Sequence, residues 1–339
     1  MSNASLTDLS KKISNLLNES RQRVVQAVNH TMVLTYFEIG RMIVEEEQNG
    51  KERADYGSQL LSDLSNSLTQ EFGRGFSITN LQQMRMFYNI YSKQQTLSAK
   101  SENSESLSEN FKLSWSHYLK LMRIDDELER KFYEIETLKN NWSLRELNRQ
   151  YDSALFTRLA ISKDKYEILR LSEQGQVIEK PQDVIKDPYV LEFIGIPEQN
   201  YFSENELEQK LIDKLEHFLL ELGKGFTFVA RQNRISFDDK HFRIDLVFYN
   251  RILRCFVLID LKVGELKHQD IGQMQMYVNY YDRIVKLEEE SKTIGIILCQ
   301  NKSEAVVEFT LPENNTQIFA SKYLTVLPSK ESLKKLIEY

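Results

Sequence analysis

Two neighbouring β-rich runs, His241 to Asn250 and Cys255 to Lys262, constrain this chain more than any other feature, because each carries an acid among apolar neighbours. Side chains alternate faces along a strand, so Asp260 and Lys262, two apart, stand side by side on one surface. Asn250-Arg251 is a turn signal between the runs, which therefore read as the arms of a hairpin. Directly opposed residues in an antiparallel pair project to the same face. A loop centred near Ile252 and Leu253 sets Asp245, fifteen residues before Asp260, across from it. A turn centred on Asn250-Arg251 opposes Asp245 to Phe256 instead, on the same face but farther from Asp260. Either register gathers two carboxylates and one ammonium on one patch of sheet. Burying two carboxylates together is costly unless a cation neutralises them. A divalent metal is the simplest resolution; Lys262 pairing with a single acid is the other.

A further acid comes from the segment just upstream. Between Asn205 and Leu222, the residues Leu207, Leu211, Ile212, Leu215, Phe218, Leu219 and Leu222 recur at helical spacing and define a stripe facing a core. Glu208 lies inside that stripe and needs a metal or a basic partner there. Glu206 shares its face with Gln209, Lys210 and Asp213 and is expected in solvent. Glu204 is also on the stripe side, at the helix start, where it complements the macrodipole. Glu208 is therefore preferred as the helix acid, with Glu204 the alternative.

Helix acid, strand acid, then acid-x-Lys on the next strand is the order of the PD-(D/E)xK nucleases, and the flanking text narrows the match. Glu206-Leu-Glu-Gln, Phe218-Leu-Leu-Glu-Leu-Gly-Lys-Gly-Phe, Val229-Ala-Arg-Gln, Arg243-Ile-Asp-Leu-Val-Phe-Tyr, Ile259-Asp-Leu-Lys and Asp270-Ile-Gly-Gln-Met-Gln-Met-Tyr resemble the YhcG family, the DUF1016 proteins. The resemblance extends to the N-terminal half through Phe72-Gly-Arg-Gly-Phe-Ser, Asn80-Leu-Gln-Gln-Met-Arg-Met-Phe-Tyr and Trp142-Ser-Leu-Arg-Glu-Leu. One departure is Asp260, where many such nucleases carry Glu; the shorter side chain draws a metal closer to the sheet. The resemblance implies a restriction-endonuclease-like α/β core, a mixed sheet flanked by helices, behind an all-α, helix-turn-helix-like N-terminal domain. It also implies hydrolysis of DNA phosphodiesters. The alternative is a module on a nuclease-like fold that binds nucleic acid or protein without cutting.

Mg²⁺ is hard, prefers oxygen and keeps several waters, so Asp245, Asp260 and Glu208, with the carbonyl of Leu261, are the expected metal donors, Mn²⁺ being a substitute. Metal binding acidifies a ligated water and stabilises charge at phosphorus. Nearby acids favour protonated Lys262, so electrostatic positioning is expected of it before proton abstraction. Gln273 and Tyr277, four apart on a helical pattern from Asp270 to Glu290, share a face; the resemblance sets this region beside the site, with Gln273 on a phosphate or a metal-bound water. Ordinary helix surface is the plainer reading. Arg231 and Gln232, in the strand-like stretch from Phe226 to Arg234, resemble the family's Arg-Gln pair and either bind phosphate or brace the sheet.

At 339 residues the chain is long enough for two domains. The expected division is a helical domain at 1–165, for target or partner binding, a junction at 166–200 rich in Pro and Gly, and a nuclease-like domain at 201–339. Apolar residues from Leu6 to Glu47 recur at helical spacing, and Gly57 to Glu71 forms a second unit. Both precede Phe72-Gly-Arg-Gly-Phe and an N-capping Ser77. Helix, glycine turn, helix suits DNA contact and suits a bundle that self-associates or recruits a protein. Ser92 to Asn110, almost devoid of apolar residues, reads as a mobile linker, and Trp115 and Trp142 as core anchors. No signal-peptide character or membrane-length apolar run occurs, so a cytoplasmic protein is expected. Cys255 and Cys299 are isolated, and the five histidines lack ligand spacing, which argues against a cysteine-rich zinc site. A net charge of −6 fits poorly with a uniformly DNA-coating surface, yet from Lys224 to His268 nine Lys/Arg face five Asp/Glu. Charge distribution matters more than the total.

Overall fold

The computed structural model describes residues 3–49, 54–98, 111–160, 164–197, 202–237 and 239–326. They fall into two units, Met1–Asn148 and Arg149–Tyr339. The first is helical. Its α1 (Asn3–Asn49) is free of Pro, and α2 (Ala54–Phe72) follows. The glycine turn appears as a 3₁₀ turn, Arg74–Phe76, entered through Gly73 at φ 88. Ser77 Oγ then accepts the Asn80 N–H at 3.3 Å and starts α3 (Ile78–Ser98). Gly40 allows α1 and α3 to touch backbone to backbone: an added Cβ would come within 2.1 Å of the Met84 carbonyl oxygen. Around that contact Phe37, Phe87, Tyr91, Phe111, Trp115 and Tyr118 build an aromatic cluster. Trp115 lies at the start of α4 (Trp115–Leu121), and α5 (Glu127–Asn140) follows. The expected linker from Ser92 is shorter than its composition suggests, since α3 continues to Ser98; 99–110 lie outside the described residues.

α6 (Leu144–Asp152) runs across the division, and α7 (Leu155–Ala160) and α8 (Lys165–Gln174) belong to the second unit. The unit therefore begins before the boundary expected at 165. The reason is a buried ion pair: Arg158 reaches Glu221 and also donates to the Pro188 carbonyl at 3.1 Å. Nor is 166–200 only a junction. Pro and Gly punctuate it, but Val184, Tyr189, Leu191, Ile194 and Ile196 between them are buried in the core, and β1 (Tyr189–Val190) joins the sheet.

The remaining elements are α9 (Glu204–Asp213), α10 (Leu215–Leu222), β2 (Phe226–Phe237), β3 (Lys240–Asn250), β4 (Cys255–Glu265), α11 (His268–Tyr280), β5 (Ile294–Asn301), α12 (Glu304–Thr310) and β6 (Ile318–Leu324). The sheet order is β1-β6-β5-β4-β3-β2, with β1, β6, β5 and β4 parallel and the β2-β3-β4 meander antiparallel. One face, with Leu246, Phe248, Val257, Ile259 and Leu261, is covered by α9 and α10. The other, with Val247, Leu258 and Ile297, is covered by α11. At Gly295 on β5 an added Cβ would meet Met274 Cγ of α11 at 2.6 Å, which is how closely that helix packs. α11 gives way to a π turn, Tyr281–Val285, so the helix expected as far as Glu290 stops early. Cys255 and Cys299 are buried free thiols. No helix among the described residues is long and apolar enough to cross a membrane.

Candidate active site

Asn250 builds the turn that sets the register. Its buried side chain accepts the N–H groups of Ile252 and Leu253 at 3.0 and 3.1 Å and donates to the Lys224 carbonyl, an Asx-type closure. Asn250 consequently pairs with Cys255 across a loop centred on Ile252 and Leu253, and the ladder continues to Leu246↔Ile259. One further step brings Asp245 opposite Asp260. There backbone pairing ends, and Asp245 Oδ2 accepts the Leu261 N–H at 2.8 Å. Asp260, 2% exposed, makes an ion pair with Lys262 Nζ at 2.8 Å, although its Oδ2 has no aligned hydrogen-bond partner.

α9 supplies two acids rather than one. Ser203 and Glu206 form a reciprocal capping box, with the Glu206 N–H donating to Ser203 Oγ at 3.2 Å and the Ser203 N–H to Glu206 Oε2 at 2.8 Å. Glu206 is thus in solvent, as its helical face implies. The helix expected to run unbroken to Leu222 is interrupted at Lys214. Glu208 is 3% exposed, with Oε1 on Arg231 Nε at 2.9 Å and Oε2 on Gln232 Nε2. The same Gln232 amide donates to Asp245 Oδ1 at 3.1 Å. Gln232 holds φ 47, in the left-handed region, at the point where β2 and β3 meet the site. Glu204, about half exposed, approaches Lys262 Nζ at 3.7 Å and accepts the Val263 N–H at 3.3 Å. The two candidate helix acids therefore serve different partners, and the one that reaches the acid-x-Lys arm is Glu204. The capping box, legible as Ser203-x-x-Glu206, fixes the helix start and was the signal for it.

From the opposite face, Tyr277 donates to the Arg243 carbonyl at 2.9 Å and receives the Gln273 amide. Burial, then the Asp260 and Asp245 carboxylates, push its phenol up. Burial and the facing Asp245 push the Asp260 carboxyl up to about 7 against the pull of Lys262. Burial opposes charge on Lys262, but Asp260, Glu204 and Asp245 outweigh it and hold the ammonium firmly protonated.

Among the described residues no three His, Cys, Asp or Glu side chains are arranged to hold a metal ion. Glu208 does not join Asp245 and Asp260 as a third donor, because both its oxygens are occupied by Arg231 and Gln232. Two carboxylates remain, one buried and raised by the other. That donor set suits a hard cation which keeps its own waters and takes a substrate oxygen. His241, on Ser236 at 2.9 Å, and His117, between Ser114 and Trp142, have protein partners instead.

Residues 182–338 match the YhcG PDDEXK nuclease domain, and residues 12–158 match the DUF1016 N-terminal domain. The chain is 39% identical over 341 residues to the "Putative nuclease YhcG" of Escherichia coli (strain K12), covering 95% of this chain and 90% of that one. Two solved structures are similar in part, each over about half of its own length. A repair endonuclease from Pyrococcus abyssi has 18% identity and a TM-score of 0.27, over 37% of this chain and 49% of that one. The EndoMS-dsDNA2 complex has 14% identity and a TM-score of 0.27, over 40% and 51%. The chain belongs to the YhcG, or DUF1016, family, and its α/β unit is that family's PD-(D/E)xK nuclease domain.

Proposed function

We propose that this protein is a metal-dependent nuclease hydrolysing DNA phosphodiester bonds, with the helical unit docking DNA or a partner. The observation that carries the reading is the meeting of Asp245, Asp260 and Lys262 where the β3–β4 ladder ends. Asp245 and Asp260 would hold Mg²⁺, or Mn²⁺ in its place, which when bound lowers the pKa of water and offsets charge developing at phosphorus. Lys262, kept protonated by its acids, faces the same patch and stabilises the extra negative charge of the phosphate in the transition state. The Leu261 N–H fixes one oxygen of Asp245, and Gln232, itself gripped by Glu208, fixes the other. Glu208 is accordingly a positioning residue. Glu204 steadies Lys262 from the side. Gln273 and Tyr277 form the wall opposite, and Arg231, on the edge strand β2, holds Glu208. The two helices flanking the glycine turn, α2 and α3, support DNA docking by the N-terminal unit.

The test is cleavage of duplex, branched and single-stranded DNA by the wild type and by Lys262→Ala, with Mg²⁺ or Mn²⁺ present. Cutting by the wild type and a large loss in the variant are expected. Equal activity in Lys262→Ala would end the mechanism, and a wild type that cuts none of the panel would favour a binding module.

A further inference from the structure

We infer that the outer half of the β2–β3 hairpin is a phosphate-binding arm that grips duplex DNA beside the cleavage position, at Arg234 and Arg243. The inference rests on the nuclease reading above and names how its substrate is held. Arg234 and Arg243 are directly opposed in the ladder. Like charges in that position repel and destabilise the pair, so a fold that keeps them there gains nothing from them internally. Both are exposed, and neither guanidinium forms a hydrogen bond or ion pair with a described residue. Arg243 lies two residues before Asp245 on the same strand, a separation of ~7 Å.

The hairpin is built to hold this pair steady. Strand alternation turns Ile235 and Ile244 away from the arginines, and both are buried. Phe237 stacks on Phe242 with ring centroids 5.3 Å apart, and on Tyr280 at 6.3 Å. Asn233 bonds the Tyr281 hydroxyl. One face is thus pinned while the other presents two forks of N–H donors without a partner among the described residues, a geometry suited to phosphate oxygens. Ser236 and His241, bonded to each other at 2.9 Å, are the next cross-strand pair outward on the arginines' face. Asp239 in the turn is of opposite sign, so the anion seat is the arginine pair and not the tip. Such contacts read no sequence and position the duplex.

The experiment is binding of a fluorescent 30-base-pair duplex, an arbitrary length of about three helical turns, by anisotropy across a salt series in EDTA, where no cutting occurs. Arg234→Gln/Arg243→Gln is expected to weaken binding roughly tenfold to hundredfold at ~0.1 M salt and to reduce the slope of log K against log salt by about two. Arg234→Lys/Arg243→Lys should retain most of the slope. Lys165→Gln, a single charge removed from α8, should leave the slope near wild type. Unchanged affinity in the Gln pair would overturn the inference. So would an equal loss of slope in the Lys pair, which keeps both charges, or a loss no larger than that of Lys165→Gln. Because the readout needs no cleavage, a wild type that fails to cut with Mg²⁺ ends the nuclease reading alone and leaves the arm to be decided by these slopes.

Discussion

Glu221 and Asp260 are buried carboxylates of the same α/β unit, and their surroundings are opposites. Glu221 is fully enclosed, with Arg158 on Oε1, the Val190 N–H at 3.0 Å, and Arg149 and Lys186 within 3.8 and 4.0 Å of Oε2. Burial alone would raise its pKa, but Arg158 and Lys186 override it and hold the carboxyl below the usual range. Asp260 has one cation, Lys262, and burial together with the facing Asp245 carboxylate outweighs it and raises the carboxyl to about 7. A buried acid that serves the fold is surrounded until its charge is answered. Asp260 is answered only in part, by Lys262, and under the proposed function a bound cation would supply the rest.

That contrast breaks if the two sites respond alike to mutation. Glu221→Ala should have the largest effect on folding, about 3–5 kcal/mol, since it strands Arg158 in the interior. Urea unfolding reads it, and a loss below about 1 kcal/mol would show that the network is not the structural counterpart claimed for it. Asp260→Asn should do the reverse. Removing a carboxylate that faces another acid should leave the urea midpoint unchanged or higher, while DNA cleavage falls by roughly 10²–10³-fold, comparable to loss of one preorganised electrostatic group. A variant that unfolds as readily as Glu221→Ala would place Asp260 in the same structural class.

The smaller expected effect belongs to Glu208, which lies between the two classes: buried, paired with Arg231, yet linked through Gln232 to Asp245. Glu208→Gln keeps the shape and one acceptor, so cleavage should drop about tenfold at saturating DNA, equivalent to ~1.4 kcal/mol. A change confined to KM would instead mean that Glu208 acts through Arg231 on substrate binding. The sequence could not separate these roles. The period of two along β4 was enough to put Asp260 beside Lys262, and the alternation was robust to register, so the shared face of Asp245 was legible too. The choice of register lay with Asn250, whose side chain closes the turn from inside, a contact with Lys224 that no local pattern marks. The apolar stripe marked Glu208 as buried without saying that Gln232, in a left-handed conformation, would intercept it. Arg158 meeting Glu221, 63 residues away, has no local signature at all, so the start of the second unit before 165 was not legible, and the Pro and Gly of 166–200 read as a junction.

A third carboxylate sharpens the comparison further, because a raised pKa alone should not mark a functional acid. Glu134 in the helical unit retains some exposed surface, yet burial lifts its carboxyl to about 7, against the hydrogen bond from Tyr91, the neighbouring Tyr118 hydroxyl and the pull of Arg130. Tyr91 donates to Oε2 at 3.2 Å. Among the described residues no second acid is paired with it, as Asp245 is with Asp260. The linkage is that of an acid whose folded pKa lies above its unfolded value. Below about pH 4.5 both states are protonated and nothing is lost; between there and about 7 the unfolded chain releases its proton first, and stability falls. Above that range the loss is complete. Glu134→Gln should therefore raise the melting temperature of the protein at pH 8 and leave it unchanged at pH 4, with cleavage unaffected at either. A pH-independent shift would remove the titration of Glu134 from the account of stability. A loss of cleavage would remove that distinction, since an acid of the helical unit, outside the proposed donor set, would then behave as Asp260 does.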